Sequence, residues 1–141
     1  MYDNGQAVSQ DYQEAAAWYR KAAEQGYARA QFNLGVMYRH GQGVRQNAQE
    51  AVTWYRKAAQ QGHAWAQANL GVMYEVGQGV PQDFVRAHMW YSLAATAASD
   101  EEQMISITNR ESVTSHMTAA QIVNAQEMAR RCQDTKFKEC E

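Results

Sequence analysis

The chain has 141 residues, of which 45% are hydrophobic and 11% aromatic, so it can bury a core and is not a disordered chain. Its formal net charge of −2 argues against a surface for nucleic acid or for an anionic membrane, because such a surface needs concentrated basic residues. No apolar run approaches the roughly 18–20 residues that a membrane-spanning helix requires, so we expect no membrane span.

Several short sequences recur at a fixed distance of 36 residues. The hexapeptide NLGVMY occupies residues 33–38 and again 69–74. The pair Trp-Tyr begins at Trp18, Trp54 and Trp90. When residues 26–61 are compared with residues 62–97 without gaps, 20 of 36 positions are identical. A period of this length is typical of a repeat array.

Each repeat carries two helical patterns separated by the sequence GQGV. In the second copy the apolar positions with helical spacing are Ala66, Leu70, Met73 and Tyr74 in the first half and Ala87, Trp90, Tyr91, Ala94 and Ala95 in the second half. Gly41 and Gly77 lie where a first helix must end, and Asn47 and Asp83 precede the second helices as N-caps. We interpret GQGV as a structural turn, since no strand precedes it as in a phosphate-binding loop.

Gly35 and Gly71 differ from the turn glycines because they lie inside a predicted helix. Glycine at such a position costs about 1 kcal/mol relative to alanine. We therefore expect a compensating close approach, in which a neighbouring aromatic ring packs onto the helix backbone.

The combined pattern A-x-x-x-L-G-x-x-Y-x-x-G-x-G-V, followed by [DN]-x-x-x-A-x-x-W-Y, resembles the Sel1-like repeat, a relative of the tetratricopeptide repeat. The resemblance covers about residues 1–98 and implies an all-α superhelical solenoid that serves as an interaction scaffold. The predicted units are a half repeat at 1–26, repeats at 27–62 and 63–98, capping helices at 99–134 and a tail at 135–141.

The N-terminal unit matches only the loop and second helix of a repeat. We expect Tyr2, Gly5 and Val8 to lie in the loop and Asp11, with Glu14, to cap the helix. Without a first helix, Ala15 and Trp18 would be partly uncovered. Either upstream residues have been removed, or this surface binds another chain, which would make a homodimer.

At the C-terminal end Ala98 replaces the expected glycine, and the 36-residue register is predicted to fail. Ser99 with Glu102 and Thr118 with Gln121 have the spacing of capping boxes at the starts of two further helices. The predicted buried stripes are Met104, Ile107, Val113 and Met117, then Ile122, Ala125, Ala129 and Cys132. This segment resembles the closing helix pair of many bacterial Sel1-like proteins, and a solenoid needs such a cap over its last apolar face.

The chain carries no recognisable catalytic, cofactor or metal motif. Its four histidines, His40, His63, His88 and His116, are not spaced as ligands, and we interpret them as polar surface residues or helix-terminal cations. Two readings of Cys132 and Cys140 stay open: one buried and one exposed thiol, or a disulfide that pins the tail and needs an oxidising compartment. The compartment is undetermined: bacterial cytoplasm, or periplasm or export if a signal peptide has been lost.

In stacked two-helix repeats the first helices line the concave groove, so their residues outside the stacking face would meet a ligand. The predicted groove residues are Arg29, Phe32, Asn33, Val36 and Arg39 in one unit and Trp65, Ala68, Asn69, Val72 and Glu75 in the next. The two asparagines could hold a peptide backbone through their paired donor and acceptor or bond to the neighbouring repeat. Trp65 is a candidate anchor, or packs on the adjacent helix.

We therefore predict a non-catalytic scaffold or adaptor that binds a protein segment in its groove. One alternative is a structural protein that self-associates through Ala15 and Trp18. A second is a hydrolase of β-lactams or of the cell wall, an activity linked to some cysteine-rich members of the wider family. The chain has no Ser-x-x-Lys pair to support such chemistry.

Overall fold

The computed structural model describes residues 4–97 and 99–141, and within these residues every regular element is an α-helix. The helices are α1 (Asn4–Glu24), α2 (Ala28–His40), α3 (Ala48–Ala59), α4 (Ala64–Val76), α5 (Phe84–Ala97), α6 (Asp100–Thr114) and α7 (Ala119–Asp134). Helices α2 and α3 pack on each other, as do α4 and α5, and α3 packs on α4 to join the two pairs. The predicted all-α solenoid of two-helix repeats is thus confirmed.

Within each helix pair a glycine of the first helix lies against a tyrosine ring of the second. A Cβ atom built on Gly35 would lie 2.7 Å from the Tyr55 ring, and one on Gly71 would lie 2.8 Å from the Tyr91 ring. Both tyrosines are fully buried. The close approach that was expected to compensate for a glycine inside a helix is therefore present. Any larger residue would force α2 away from α3 and α4 away from α5.

The turn between the two helices of a repeat depends on two glycines with positive φ. Gly41 ends α2 at φ 68°, and its amide donates to the Met37 carbonyl. Gly43, at φ 72°, lies so close to the Tyr12 carbonyl that a Cβ atom would be 2.1 Å from that oxygen. The turn thus packs on the preceding second helix, which confirms its structural role.

The predicted N-terminal loop is wrong. Helix α1 begins at Asn4, so Gly5 and Val8 lie in a helix, and Asp11 is an internal helical residue rather than an N-cap. Tyr2 falls outside the described residues. The sequence contains the reason: Ala7 stands 36 residues before Gly43, where the turn needs a positive φ that alanine disfavours.

Two buried glutamines fasten successive units, and this contact was not predicted. Gln31 Nε2 donates to the Ala23 carbonyl at 3.2 Å, and Gln67 Nε2 donates to the Ala59 carbonyl at 3.1 Å. Both acceptors belong to the last turn of the preceding second helix, whose carbonyls lack intrahelical partners. Each glutamine therefore couples the start of one repeat to the end of the previous one.

The structure contradicts the predicted loss of the 36-residue register after Ala98. Helices α2, α4 and α6 begin at Ala28, Ala64 and Asp100, which are again 36 residues apart. Ser106 follows Leu70 by 36 residues and is just as inaccessible to solvent. The helix spacing survives because α6 still packs against α5, although few of the repeat's residues remain.

The C-terminal cap consists of α6 and α7, which both pack against α5. Val113, Ala125, Ala129 and Cys132 are buried as predicted, and Thr118 forms the predicted capping box with Gln121. The predicted box at Ser99 is wrong, because that side chain makes no capping hydrogen bond. Met104 is also wrongly placed in the buried stripe: its side chain is 63% exposed.

Two histidines are neither exposed nor helix-terminal cations. His63 is the N-cap of α4, and its neutral Nδ1 accepts a hydrogen bond from the Ala66 amide at 3.2 Å. His88 is buried on α5. Burial lowers the pKa of both imidazoles, and the positive charge of Arg110 lowers that of His88 further. For His63, Glu102 raises the pKa and Arg29 lowers it, with burial the largest effect.

Replacing Gly71 by alanine should lower the free energy of unfolding by about 1–3 kcal/mol, although alanine is the better helix former, because the new methyl group overlaps the Tyr91 ring. Chemical denaturation measures this. Gly71→Ala in a Tyr91→Leu background is the control, since the atoms nearest to the new methyl group all belong to the Tyr91 ring and the penalty should then be lost. If Gly71→Ala proved neutral or stabilising, the close approach would not limit the packing of the pair.

Stability should fall as the pH drops through the ordinary histidine pKa of about 6.5, because the unfolded state then binds protons that folded His63 and His88 bind less readily. Protonation also removes the acceptor that caps α4, a contact worth about 1 kcal/mol. His63→Asn should keep the cap and flatten the decline between pH 7.5 and 5.5 in urea denaturation. His40→Asn, at an exposed position, should not flatten this decline. An equal dependence of stability on pH in the wild-type protein and both variants would refute the assignment of the decline to His63.

Candidate functional site

The candidate surface is the face formed by the first helices, α2, α4 and α6, and we call it the first-helix face. Arg29 and Trp65 are exposed on it, with Trp65 36% exposed. The partly exposed members of the predicted groove set are Phe32, Asn33, Val36, Arg39, Asn69, Val72 and Glu75. All of these side chains therefore reach solvent to some extent.

Two predicted groove residues belong more to the core than to the surface. Ala68 is 5% exposed and is thus unavailable to a ligand, because its short side chain is covered within the packed repeats. Phe32 packs against the rings of Tyr55 and His63, with centroid distances of 6.0 and 5.0 Å. Phe32 is therefore only partly exposed on this surface.

A row of polar groups lies along this face, and it changes from one repeat to the next. Tyr91 donates its hydroxyl to Glu75 at 2.7 Å. Burial, and then this carboxylate, raise the Tyr91 pKa well above its ordinary value. One repeat earlier the equivalent pair is Tyr55 and Arg39, and an arginine cannot accept the phenol proton.

The Tyr55 hydroxyl is consequently a buried group without a well-formed hydrogen bond among the described residues, although the Arg39 and Asn69 side chains lie beside it. Burial raises its pKa, while Arg39 and Asn69 lower it by less. Asn69 therefore lies between this buried hydroxyl and the surface. Asn33, its counterpart on α2, is partly exposed.

Helix α6 extends the first-helix face, and we had not predicted this. Met104 and Ile105 are 63% and 40% exposed, and with Thr108 and Asn109 they line a shallow apolar cavity. Ile105 follows Asn69 by 36 residues, so it continues the same row. The signal was available in the sequence as the 36-residue spacing of the helix starts, but the lost identity of the residues concealed it.

The other predicted surface is on α1. Trp18 is 71% exposed, and Ala15 is partly exposed. Ala16 and Ala23, on the opposite side of the helix, are buried where α1 packs against α2. The equivalent tryptophans, Trp54 and Trp90, are 7% and 0% exposed.

The tail returns to the repeats instead of projecting into solvent. Cys132 and Cys140 are joined in a disulfide, which was one of the two states that the sequence left open. Phe137 packs over Gly62, and the Glu141 side chain accepts hydrogen bonds from Arg56 Nε at 3.0 Å and from Trp90 Nε1 at 2.9 Å. No sequence signal pointed to this contact, because it spans 51 residues between Trp90 and Glu141.

Across residues 4–97 and 99–141, no group of three or more histidine, cysteine, aspartate or glutamate side chains is placed to hold a metal ion. Among the same residues no helix is both long and apolar enough to cross a membrane.

This architecture matches a known family of repeat proteins. The family model described as Sel1 repeat matches three times, at residues 1–27, 28–63 and 66–99. No protein in the curated set matches significantly.

Solved structures show the same fold. One is c5321, a protective antigen present in uropathogenic Escherichia coli strains that displays an SLR fold; it is 35% identical, with a TM-score of 0.85 over 94% of this chain and 28% of that chain. Another is a Sel1 repeat protein from Oxalobacter formigenes, 46% identical, with a TM-score of 0.61 over 64% of this chain and 36% of that one. The chain thus spans about a third of the length of these neighbours. With the matches to the family model covering more than half of its residues, the chain belongs to the Sel1 repeat family.

Proposed function

We propose that the protein is a non-catalytic interaction scaffold that binds an extended segment of a partner protein along the first-helix face. The observation that carries this proposal is the exposure of Trp65, Met104 and Ile105, three large apolar side chains on the adjacent helices α4 and α6. Exposed aromatic and apolar side chains beside polar groups are typical anchors of protein interfaces.

The polar row beside these anchors suits a peptide backbone. Asn69 is partly exposed and offers a donor and an acceptor, and it lies beside the buried Tyr55 hydroxyl. Arg39 and Glu75 carry opposite charges at equivalent positions, so the surface favours neither strongly acidic nor strongly basic ligands. A bound segment would place an apolar side chain against Trp65 and Ile105 and its backbone amides over Asn69.

A second candidate function is self-association through α1. Trp54 packs with Ala23, Ala30 and Tyr19 from α1 and α2, whereas the described residues provide no comparable cover for Trp18. A second copy of the chain could supply that cover, which supports a homodimer through Trp18 and Ala15.

The disulfide bears on the compartment. Disulfides persist in oxidising compartments and are rare in the cytosol of mesophiles. From the Cys132–Cys140 bond we infer that the protein works in the periplasm or outside the cell rather than in the bacterial cytoplasm.

Peptides selected from a random phage-displayed library on the oxidised protein should lose at least tenfold in affinity on Trp65→Ala, since truncating a central aromatic anchor costs about 2 kcal/mol or more. Asn69→Ala should weaken the same peptides by less, and Asn33→Ala together with Asn69→Ala by more than either alone. Fluorescence anisotropy with labelled peptides measures each dissociation constant.

The matched control for this test is Val123→Ala, because Val123 is 58% exposed but lies on α7, away from the first-helix face. Selected peptides that bind the Trp65→Ala and Val123→Ala proteins with the wild-type affinity would show that the ligand surface is elsewhere.

If α1 forms a dimer interface, static light scattering at increasing concentration should show a mass approaching twice 15.9 kDa, and Trp18→Glu should return it to that of the monomer. The reason is that a charged carboxylate cannot be buried unpaired in an apolar interface. Trp65→Glu is the control on a different exposed tryptophan. A wild-type protein that stays monomeric at millimolar concentration would exclude the dimer.

A further inference from the structure

The repeat places the same three polar side chains together twice. Arg56, Tyr74 and Trp90 form one group, which we call the second site, and Arg20, Tyr38 and Trp54, each 36 residues earlier, form the first site. Arg56 Nη2 donates to the Tyr74 hydroxyl at 2.8 Å, and Arg20 Nη2 donates to the Tyr38 hydroxyl in the same way. The two sites thus share both their residue types and an internal hydrogen bond.

The second site holds a carboxylate. Glu141 Oε2 accepts from Arg56 Nε at 3.0 Å, and Glu141 Oε1 accepts from the Trp90 indole at 2.9 Å. Burial, and then the adjacent carboxylate, raise the pKa of Tyr74 to about 12. The guanidinium and the indole are both pure donors, so a two-oxygen acceptor satisfies them together.

The first site has the donors without the acceptor. Trp54 is 7% exposed, and its indole N–H is a buried donor with no hydrogen-bond partner among the described residues. No carboxylate in the described part of the chain forms an ion pair with Arg20, whereas Arg56 pairs with Glu141. A buried N–H without a partner is destabilising by about 1–3 kcal/mol, so an acceptor that reaches it from outside, through movement of the side chains that cover it, would be favoured.

We propose that the first site binds the carboxylate of a glutamate side chain from another polypeptide, as the second site binds that of Glu141. The ligand oxygens would accept from Arg20 and from the Trp54 indole. This site is built from α1, α2 and α3 and does not depend on the first-helix face. The two proposals can therefore be tested independently.

One difference between the sites sets their relative strength. Arg86 lies near Glu141 and interacts favourably with its charge, whereas the equivalent position in the first site holds Glu50. Like charge at Glu50 weakens the attraction for an incoming carboxylate. The first site is therefore the weaker one, as expected for a reversible contact with a partner.

The test follows the four tryptophan indole N–H signals by nuclear magnetic resonance, with Trp54→Phe and Trp90→Phe assigning two of them. The probe is sodium propionate, which presents the carboxylate of a glutamate side chain, and sodium chloride at equal concentration is the reference. Propionate should move the Trp54 signal in a saturable way and leave Trp18 and Trp65 in place. Arg20→Gln should weaken the response about tenfold or more, and Glu50→Arg should strengthen it.

Two further variants make the result decisive. Glu141→Ala removes the acceptor of the second site, so the Trp90 signal should then also respond to propionate. Lys57→Gln removes the ammonium group 4.7 Å from the centre of the Trp54 ring and should leave the response unchanged, which excludes general attraction of anions to that lysine.

Three results would overturn the proposal. The first is a Trp54 signal that does not move while Trp90 responds in the Glu141→Ala protein. The second is a Trp54 shift that persists in folded Arg20→Gln protein. The third is no response at either indole, because the arrangement of arginine, tyrosine and tryptophan would then not bind a free carboxylate.

Discussion

The contact between a helix backbone and a buried tyrosine ring is the constraint on which the rest of this structure depends. Gly35 and Gly71 accept the rings of Tyr55 and Tyr91 at distances that no side chain would permit. This approach sets the separation of the two helices in each repeat, and it places the buried hydroxyls of Tyr55 and Tyr91 beneath polar residues of the first-helix face. The core contact and the candidate binding surface are therefore adjacent.

Polar contacts that recur at the same interval help to join the repeats. Gln31 and Gln67 satisfy carbonyls at the end of the preceding helix, and Arg20 and Arg56 donate to Tyr38 and Tyr74. Such contacts are directional, so they specify how one unit is set on the next, while apolar burial supplies most of the stabilisation. After α5 the last unit is covered instead by α6, α7 and the tail, through packing and the Cys132–Cys140 bond.

The repeats differ in their hydrogen bonding where equivalent positions hold different residues. Glu75 satisfies Tyr91, but Arg39 leaves Tyr55 without an acceptor. Glu141 satisfies Trp90, but the described residues leave Trp54 without one. In both cases the same donor recurs in two repeats, with an acceptor in one repeat and none that forms a well-made hydrogen bond among the described residues in the other. Surface exposure of Trp65, Met104 and Ile105 adds the apolar component that such polar sites lack.

The sequence alone determined the repeat period, the helical pairs, the turn glycines and most of the core, because these depend on spacing and local conformational preference. Leu34, Leu70, Tyr55 and Tyr91 are fully buried as their helical phase indicated. Prediction from local patterns failed at α1. There the resemblance to the loop of a repeat was given more weight than the replacement of a required glycine by Ala7. It also failed at α6, which keeps the 36-residue spacing although its residues no longer resemble the repeat.

Only the tertiary structure decided which polar groups have partners. The contacts of Glu141 with Arg56 and Trp90 join residues that are 85 and 51 positions apart, and no periodic pattern encodes them. The neutral cap at His63 and the unpartnered groups at Tyr55 and Trp54 are also properties of packing, since hydrogen bonding depends on positions in space within a few tenths of an ångström. Sequence periodicity specifies which face a residue occupies, whereas the packing of helices from different repeats determines what that residue meets there.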